Sequence, residues 1–118
     1  MMRRNVLEWC RACNIPEHMH EGVDRWVNDG CEPGHFLTHI LENDFAHAAE
    51  RADLANQRSL FNYARLLIVY LPMACWGSKE NMKEWREHGG YVGLQKRMDT
   101  PEARLVHGEE PMEPQALD

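Results

Sequence analysis

Apolar residues recur every three or four positions along most of this chain, and this spacing places them on one side of an α-helix. The clearest stretch contains Met19, Val23, Trp26 and Val27, and it ends at Gly30. The run from Leu66 to Leu71 could by itself form a buried strand, but the helical spacing that reaches it from Leu60 without a break favours a helix. The sequence therefore predicts an all-α fold.

Prolines, glycines and capping residues divide this pattern into about five to six helices. Their expected ranges are about 5–13, 16–30, 34–43, 44–53, 53–71 and 78–89. The fifth is the longest, and its width predicts a central, largely surrounded position. Its expected buried face consists of Leu60, Phe61, Ala64, Leu67, Ile68 and Leu71.

The formal charge of −6 is unevenly distributed along the 118 residues. Residues 99–118 hold six acidic residues, one basic residue and three prolines, which leaves residues 1–98 close to neutral. We therefore expect one compact helical domain over 1–98 and a flexible acidic tail over 99–118, because the tail has too few apolar residues to offset the entropy of ordering.

Several classes of protein are disfavoured by composition and motifs. The negative charge argues against sequence-specific nucleic-acid binding. The longest apolar run, Leu66 to Trp76, is shorter than the roughly 20 residues that cross a bilayer, and no export signal precedes the first helix, so we expect a cytoplasmic protein. Ser59 and Ser78 lie outside any nucleophile motif, and the glycine pairs lack a phosphate-binding pattern. We expect no enzymatic activity, no catalytic residues and no cofactor.

Cysteines and histidines are concentrated in the first third of the chain. The candidate zinc ligands are Cys10, Cys13, Cys31, His35 and His39, in a spacing that resembles a zinc module. The stronger interpretation is that Cys10 and Cys13 are small buried thiols, since they share the apolar side of the first helix with Val6, and zinc is the alternative.

Tryptophan is common among residues that dominate protein binding, and this chain has four. Trp26 and Trp85 lie on apolar stripes and Trp76 lies in a tight connector, so we expect all three to pack in the core. Trp9 lies off the apolar side of its helix and is the candidate for contact with a partner.

Several short segments of this chain resemble a group of small phage- and prophage-encoded proteins of Proteobacteria. The matching segments are Ile15 to Val23, Pro33 to Thr38, Asn43 to Phe45, Arg51 to Asp53 and Cys75 to Ser78, within about residues 15–93. The resemblance implies a setting in which small accessory proteins bind and disable host machinery, and it carries over no functional residue.

From this resemblance we expect a non-enzymatic inhibitor of a host protein or ribonucleoprotein complex in the bacterial cytoplasm, with anti-CRISPR activity as its most concrete form. A zinc-stabilised interaction module is the alternative, and a virion or replication accessory protein is the third possibility. If the helical body acts alone, deletion of residues 99–118 should leave inhibition largely intact.

Overall fold

The computed structural model describes residues 3–98, and the regular structure within that range is entirely helical. The predicted all-α class is confirmed, whereas the predicted tail lies outside the described residues. The α-helices are α1 (Val6–Ala12), α2 (His20–Asp29), α3 (His35–Leu41), α4 (Phe45–Arg51), α5 (Leu54–Arg58), α6 (Leu60–Arg65), α7 (Lys79–His88) and α8 (Gly90–Met98). Short 3₁₀ turns cover Glu17–Met19 and Met73–Cys75, and a π-helical turn covers Leu66–Tyr70.

The expected count of five to six helices is wrong, because the described residues contain eight α-helices. One added boundary is Ser59, which has a non-helical φ of −108° and ψ of 10° between α5 and α6. Its hydroxyl donates a hydrogen bond of 2.9 Å to the carbonyl of Ala55, a back-bond that bends helices. The predicted longest helix is therefore α5, α6 and the π-helical turn in succession, and it ends before Pro72 as expected.

The second added helix is α8. Gly89 ends α7 as predicted, with a left-handed φ of 81°, but the chain then enters another helix at once. A double glycine normally signals a stop, and the weak apolar pattern after it did not indicate a further helix.

Several predicted helix ends are confirmed by side-chain hydrogen bonds. Asp53 accepts from the backbone N–H of Asn56 at 2.8 Å, and Ser78 accepts from that of Asn81 at 3.0 Å. Asp44 caps α4 in the same way, while Asn5 precedes α1 without forming a capping bond. Side-chain caps thus begin three of the eight described α-helices, α4, α5 and α7.

Within the core, α2 packs against both α1 and α8. Trp26 is fully buried, and its indole N–H donates to the carbonyl of Cys75 at 3.0 Å. Trp85 is buried as well and donates to the carbonyl of Trp26 at 3.0 Å. The predicted core positions of both tryptophans are confirmed, and their bonds join α2 to the second half of the domain. Trp76 is half-buried against the same core.

Candidate functional site

The helical segment from α5 to the π-helical turn has one side in the core and the other exposed to solvent. Tyr63, Leu66 and Leu67 are buried. The predicted buried face was wrong at two positions, since Phe61 is 74% exposed and Ile68 is 75% exposed. Hydropathy alone does not identify Tyr63 as the core residue here; its hydroxyl donates a buried hydrogen bond of 2.7 Å to Asn56, which satisfies both polar groups.

Five large apolar side chains on this segment and the turn after it are between 60% and 78% exposed. They form what we call the apolar face: Leu54, Phe61, Ile68, Val69 and Met73. Phe61 and Ile68 are seven residues apart, close to two helical turns, within the helical backbone that runs from Leu60 to Tyr70. Leu54 lies before the non-helical Ser59, and Met73 follows the non-helical residues Leu71 and Pro72, so helical spacing groups only Phe61 and Ile68, with Val69 next to Ile68. Single exposed apolar residues are ordinary on globular proteins, whereas this segment exposes several large ones in succession.

The charged side chains within the segment from α5 to the π-helical turn have one sign. Arg58 and Arg65 are exposed and alternate with Leu54, Phe61 and Ile68 at spacings of three and four residues. Neither arginine forms an ion pair with any residue between 3 and 98. No aspartate or glutamate occurs from residue 54 to residue 79, although the chain holds 19 acidic residues. From α5 to the π-helical turn, the segment therefore carries exposed apolar side chains and only positive formal charge.

A cleft of about 480 Å³ lies elsewhere, between α2, the loop before α3, and the segment joining α4 to α5. On its wall, His18 Nε2 lies 3.0 Å from Asp53 Oδ2, and both side chains are more than half exposed. The hydrogen bond that Asp53 accepts from the backbone N–H of Asn56 is the main cause that lowers the pKa of Asp53, and its bond with His18 lowers the pKa further. Cys31 and His35 also line the cleft.

The chemistry of this cleft is mixed. Its basic side chains, Arg25 and Arg51, face the acidic Glu21, Glu32 and Asp53, so the lining does not favour an anion. Within the described residues, no histidine forms a hydrogen bond with the Cys31 thiol, as a thiol nucleophile and its base would. The cleft thus has the volume of a ligand pocket without a convergent set of polar groups.

The structure does not bring the five sequence-predicted zinc ligands together into one group. Cys10 and Cys13 are fully buried, whereas Cys31 and His35 are exposed. Burial raises the pKa of Cys10 to about 12 and also raises that of Cys13, which disfavours the thiolate that binds zinc. Of the five, only His39 belongs to a group of three potential ligands among the described residues.

That group consists of His39, Glu42 and Asp44 at the junction of α3 and α4. Sequence reasoning missed both carboxylates because it sought cysteines and histidines. The available signal was the spacing His39-x-x-Glu42-x-Asp44 at a predicted helix end.

Trp9, the sequence candidate for partner contact, is half-buried. Its ring stacks on Tyr70 with centroids 5.9 Å apart, and the guanidinium of Arg4 lies 5.3 Å from the ring centroid. Arg4 lies equally close to the ring of Tyr91. Much of the surface of Trp9 is therefore engaged within the domain.

Comparison with protein-family models finds no match to this chain, and comparison with curated proteins and with solved structures finds none either. Between residues 3 and 98, no helix combines the length and the apolar character that crossing a membrane demands.

Proposed function

We propose that this protein is a non-enzymatic binding protein that docks onto another protein through the apolar face. The observation that carries the proposal is the exposure of Phe61 and Ile68, at 74% and 75%, in the middle of a helical segment whose other side forms the core. Burial of large apolar side chains is the main favourable term in association, and exposed patches of this kind mark interaction sites.

The chemistry of the face also defines its partner. Arg58 and Arg65 would each donate a charge-assisted hydrogen bond to a carboxylate of the partner, and residues 54–79 contain no acid that would repel that carboxylate. The partner surface is therefore apolar at its centre and acidic at its rim. Binding to a basic partner surface would be unfavourable, since burying like charges against each other is costly.

Within this function, we propose that the partner is a bacterial host protein or ribonucleoprotein complex that the protein inhibits in the host cytoplasm, in the form of anti-CRISPR activity. Support for this finer proposal comes from the resemblance to phage and prophage proteins over residues 15–93. A protein that inhibits by occupying a surface needs an exposed contact area and no catalytic group, and the apolar face provides such an area.

The experiment compares the wild-type protein with the double variant Phe61→Ser/Ile68→Ser. Each is expressed in a panel of bacterial strains, each carrying one type of CRISPR–Cas system, and challenged with a phage that the system targets. We expect the wild type to restore plaque formation in at least one strain and the double variant to reduce this effect at least about tenfold, as loss of two central contacts would. Both positions are exposed, so the variant should retain its melting temperature within the range of surface substitutions.

Matched controls separate the face from general surface effects. Met98→Ser removes an exposed apolar residue from α8 and should leave inhibition unchanged. Arg65→Glu should impair inhibition, whereas Arg86→Glu on α7 should not. Equal activity of the wild type and the double variant would rule out the apolar face, and an inactive wild type in every strain would rule out the anti-CRISPR form.

Affinity purification from phage-infected cells distinguishes the remaining alternatives. A partner that is a virion or replication protein, retained by the wild type and lost from the double variant, would replace host inhibition with an accessory role. A chain ending at Met98 should retain the partner. Loss of the partner on this truncation would assign binding to residues 99–118 instead of the apolar face.

A further inference from the structure

The junction between α3 and α4 brings one imidazole and two carboxylates together. His39 Nδ1 lies 3.6 Å from Asp44 Oδ2 and 3.9 Å from Glu42 Oε1, and the three ligand atoms all lie within 4.8 Å of one another. The side chains of His39 and Glu42 are 23% and 13% exposed. The backbone closes around them, because the N–H of Asp44 donates to the carbonyl of His39 at 2.8 Å.

His39 Nδ1 is buried but has no hydrogen-bond partner in the part of the chain that the structure describes. Buried polar atoms in folded proteins nearly always have one. Neighbouring ligands of a tetrahedral zinc ion, bound at about 2.1 Å, lie about 3.4 Å apart, close to the two distances from His39 Nδ1. We propose that His39, Glu42 and Asp44 bind a divalent transition-metal ion, with Zn²⁺ as the ion that fits the donors best.

The donor set narrows the choice of ion. Imidazole nitrogen disfavours Mg²⁺ and Ca²⁺, which take oxygen ligands, whereas Zn²⁺ and Co²⁺ accept nitrogen and carboxylate oxygen together. Three protein ligands leave a fourth position for water, as in zinc sites that remain open. The site differs from the cysteine-containing set predicted from sequence and shares only His39 with it.

His47 supports the site from the next turn of chain. Its Nδ1 lies 2.8 Å from Asp44 Oδ2, and its ring stacks on that of His39 with centroids 5.5 Å apart. Ligating carboxylates are commonly held by such outer hydrogen bonds, which orient them toward the ion. His47 itself is 63% exposed, and its role in the proposed site is to hold the Asp44 carboxylate in place.

One cation already contacts the site. The Lys79 ammonium lies 2.9 Å from Glu42 Oε1, and the lysine side chain is 76% exposed. A metal ion would have to displace this ammonium from the carboxylate. Because the Lys79 side chain is exposed, it can turn to solvent, and the metal ion would then neutralise the largely buried Glu42 carboxylate in its place. Because Lys79 competes with the metal ion for Glu42, removal of its charge provides a specific test.

The test uses the full-length protein, freed of metal by chelation, with Zn²⁺ titrated by calorimetry and Co²⁺ followed by its visible absorption. We expect one ion per chain. Glu42→Gln should weaken binding at least about tenfold, and Asp44→Ser, which keeps a capping oxygen for α4, should do the same. His35→Ala, on the same helix as His39 but exposed, and Cys31→Ser should bind as the wild type does.

Lys79→Met is the second, independent variant, because it should increase affinity about two- to fivefold by removing the competing ammonium. Circular dichroism melts establish that each variant is folded. The proposal is overturned if the wild type binds neither ion stoichiometrically, or if Cys31→Ser abolishes binding while Glu42→Gln does not, which would assign the metal to the cysteine set. Neither outcome depends on the apolar face, whose variants should bind Zn²⁺ normally.

Discussion

The backbone nitrogen of Gly90 lies 2.7 Å from the position that a β-carbon on Gly30 would occupy. Gly30 ends α2 and Gly90 begins α8, so this contact is where the two helices meet. Both residues have a positive φ, of 69° and 71°. Glycine is required at each position for two reasons, the left-handed backbone and the absence of space for any side chain.

We predict that Gly90→Ala destabilises the domain by about 2–5 kcal/mol, the sum of left-handed strain and steric overlap with the backbone of Asn28 and Gly30. Urea unfolding of the wild type and of the Gly90→Ala variant measures this difference in free energy. Gly34→Ala is the matched control, because a β-carbon there meets no atom within 4 Å and its φ is −71°. A loss at Gly34 as large as that at Gly90 would contradict the packing argument.

Tyr63→Phe should lower the free energy of unfolding by about 1–3 kcal/mol. The substitution removes the donor to Asn56 and leaves a buried amide oxygen without its partner. Tyr70→Phe serves as the control, since Tyr70 is half-buried and contacts Trp9 through its ring. Chemical denaturation of both variants should show a loss for Tyr63 alone, and equal effects would contradict the assigned bond.

The four cysteines should differ sharply in reactivity. Burial raises the pKa of Cys10 to about 12 and raises those of Cys13 and Cys75, so these thiols are protonated and shielded at neutral pH. A thiol-reactive disulfide reagent should modify one cysteine per native chain and four per unfolded chain. Cys31→Ser should abolish the native reaction, because Cys31 is the exposed thiol. Rapid modification of two or more native thiols would be inconsistent with the core.

Acid should weaken the attachment of the N-terminal segment to α2. Arg3 donates to both carboxylate oxygens of Asp29, at 2.8 and 3.0 Å, and this bond is the main cause that holds the pKa of Asp29 below its usual value of 3.8. A lowered pKa in the folded state stabilises the protein above pH 3.8, and this stabilisation is lost as the pH falls through the folded value.

Asp29→Asn should therefore reduce stability at pH 7 by about 1 kcal/mol or less, because both partners are partly exposed, and the difference from the wild type should shrink below pH 4. Thermal melts across pH 2–7 provide the measurement. Glu84→Gln, an exposed substitution on α7, should show no such dependence. A constant difference at all pH values would contradict the ion pair.

Local patterns were sufficient to predict the helices because helix formation and capping depend on residues a few positions apart. The apolar stripe of α2, its end at Gly30, and the caps Asp53 and Ser78 were all predictable in this way. Ser59 was not, because a serine within an apolar pattern can face solvent or bond back to the helix, and only the packed neighbours select between the two.

The candidate site was less predictable. Phe61 and Ile68 of the apolar face were expected to be buried. That expectation was wrong because hydropathy reports how apolar a side chain is and not whether another element covers it. Glu42 and Asp44 offered no recognised motif, and their meeting with His39 depends on the angle between α3 and α4.

Sequence by itself determined the all-α class, the positions of most helix ends and the burial of Trp26 and Trp85 between residues 3 and 98. These follow from periodicity and from capping bonds that close within one turn. The tertiary structure alone decided that Tyr63 and Asn56 satisfy each other inside the core, that Gly30 meets Gly90, and that the apolar face stays open. The first two depend on contacts between residues separated along the chain, and the third depends on the absence of a covering element. Local sequence patterns indicate neither such contacts nor such an absence.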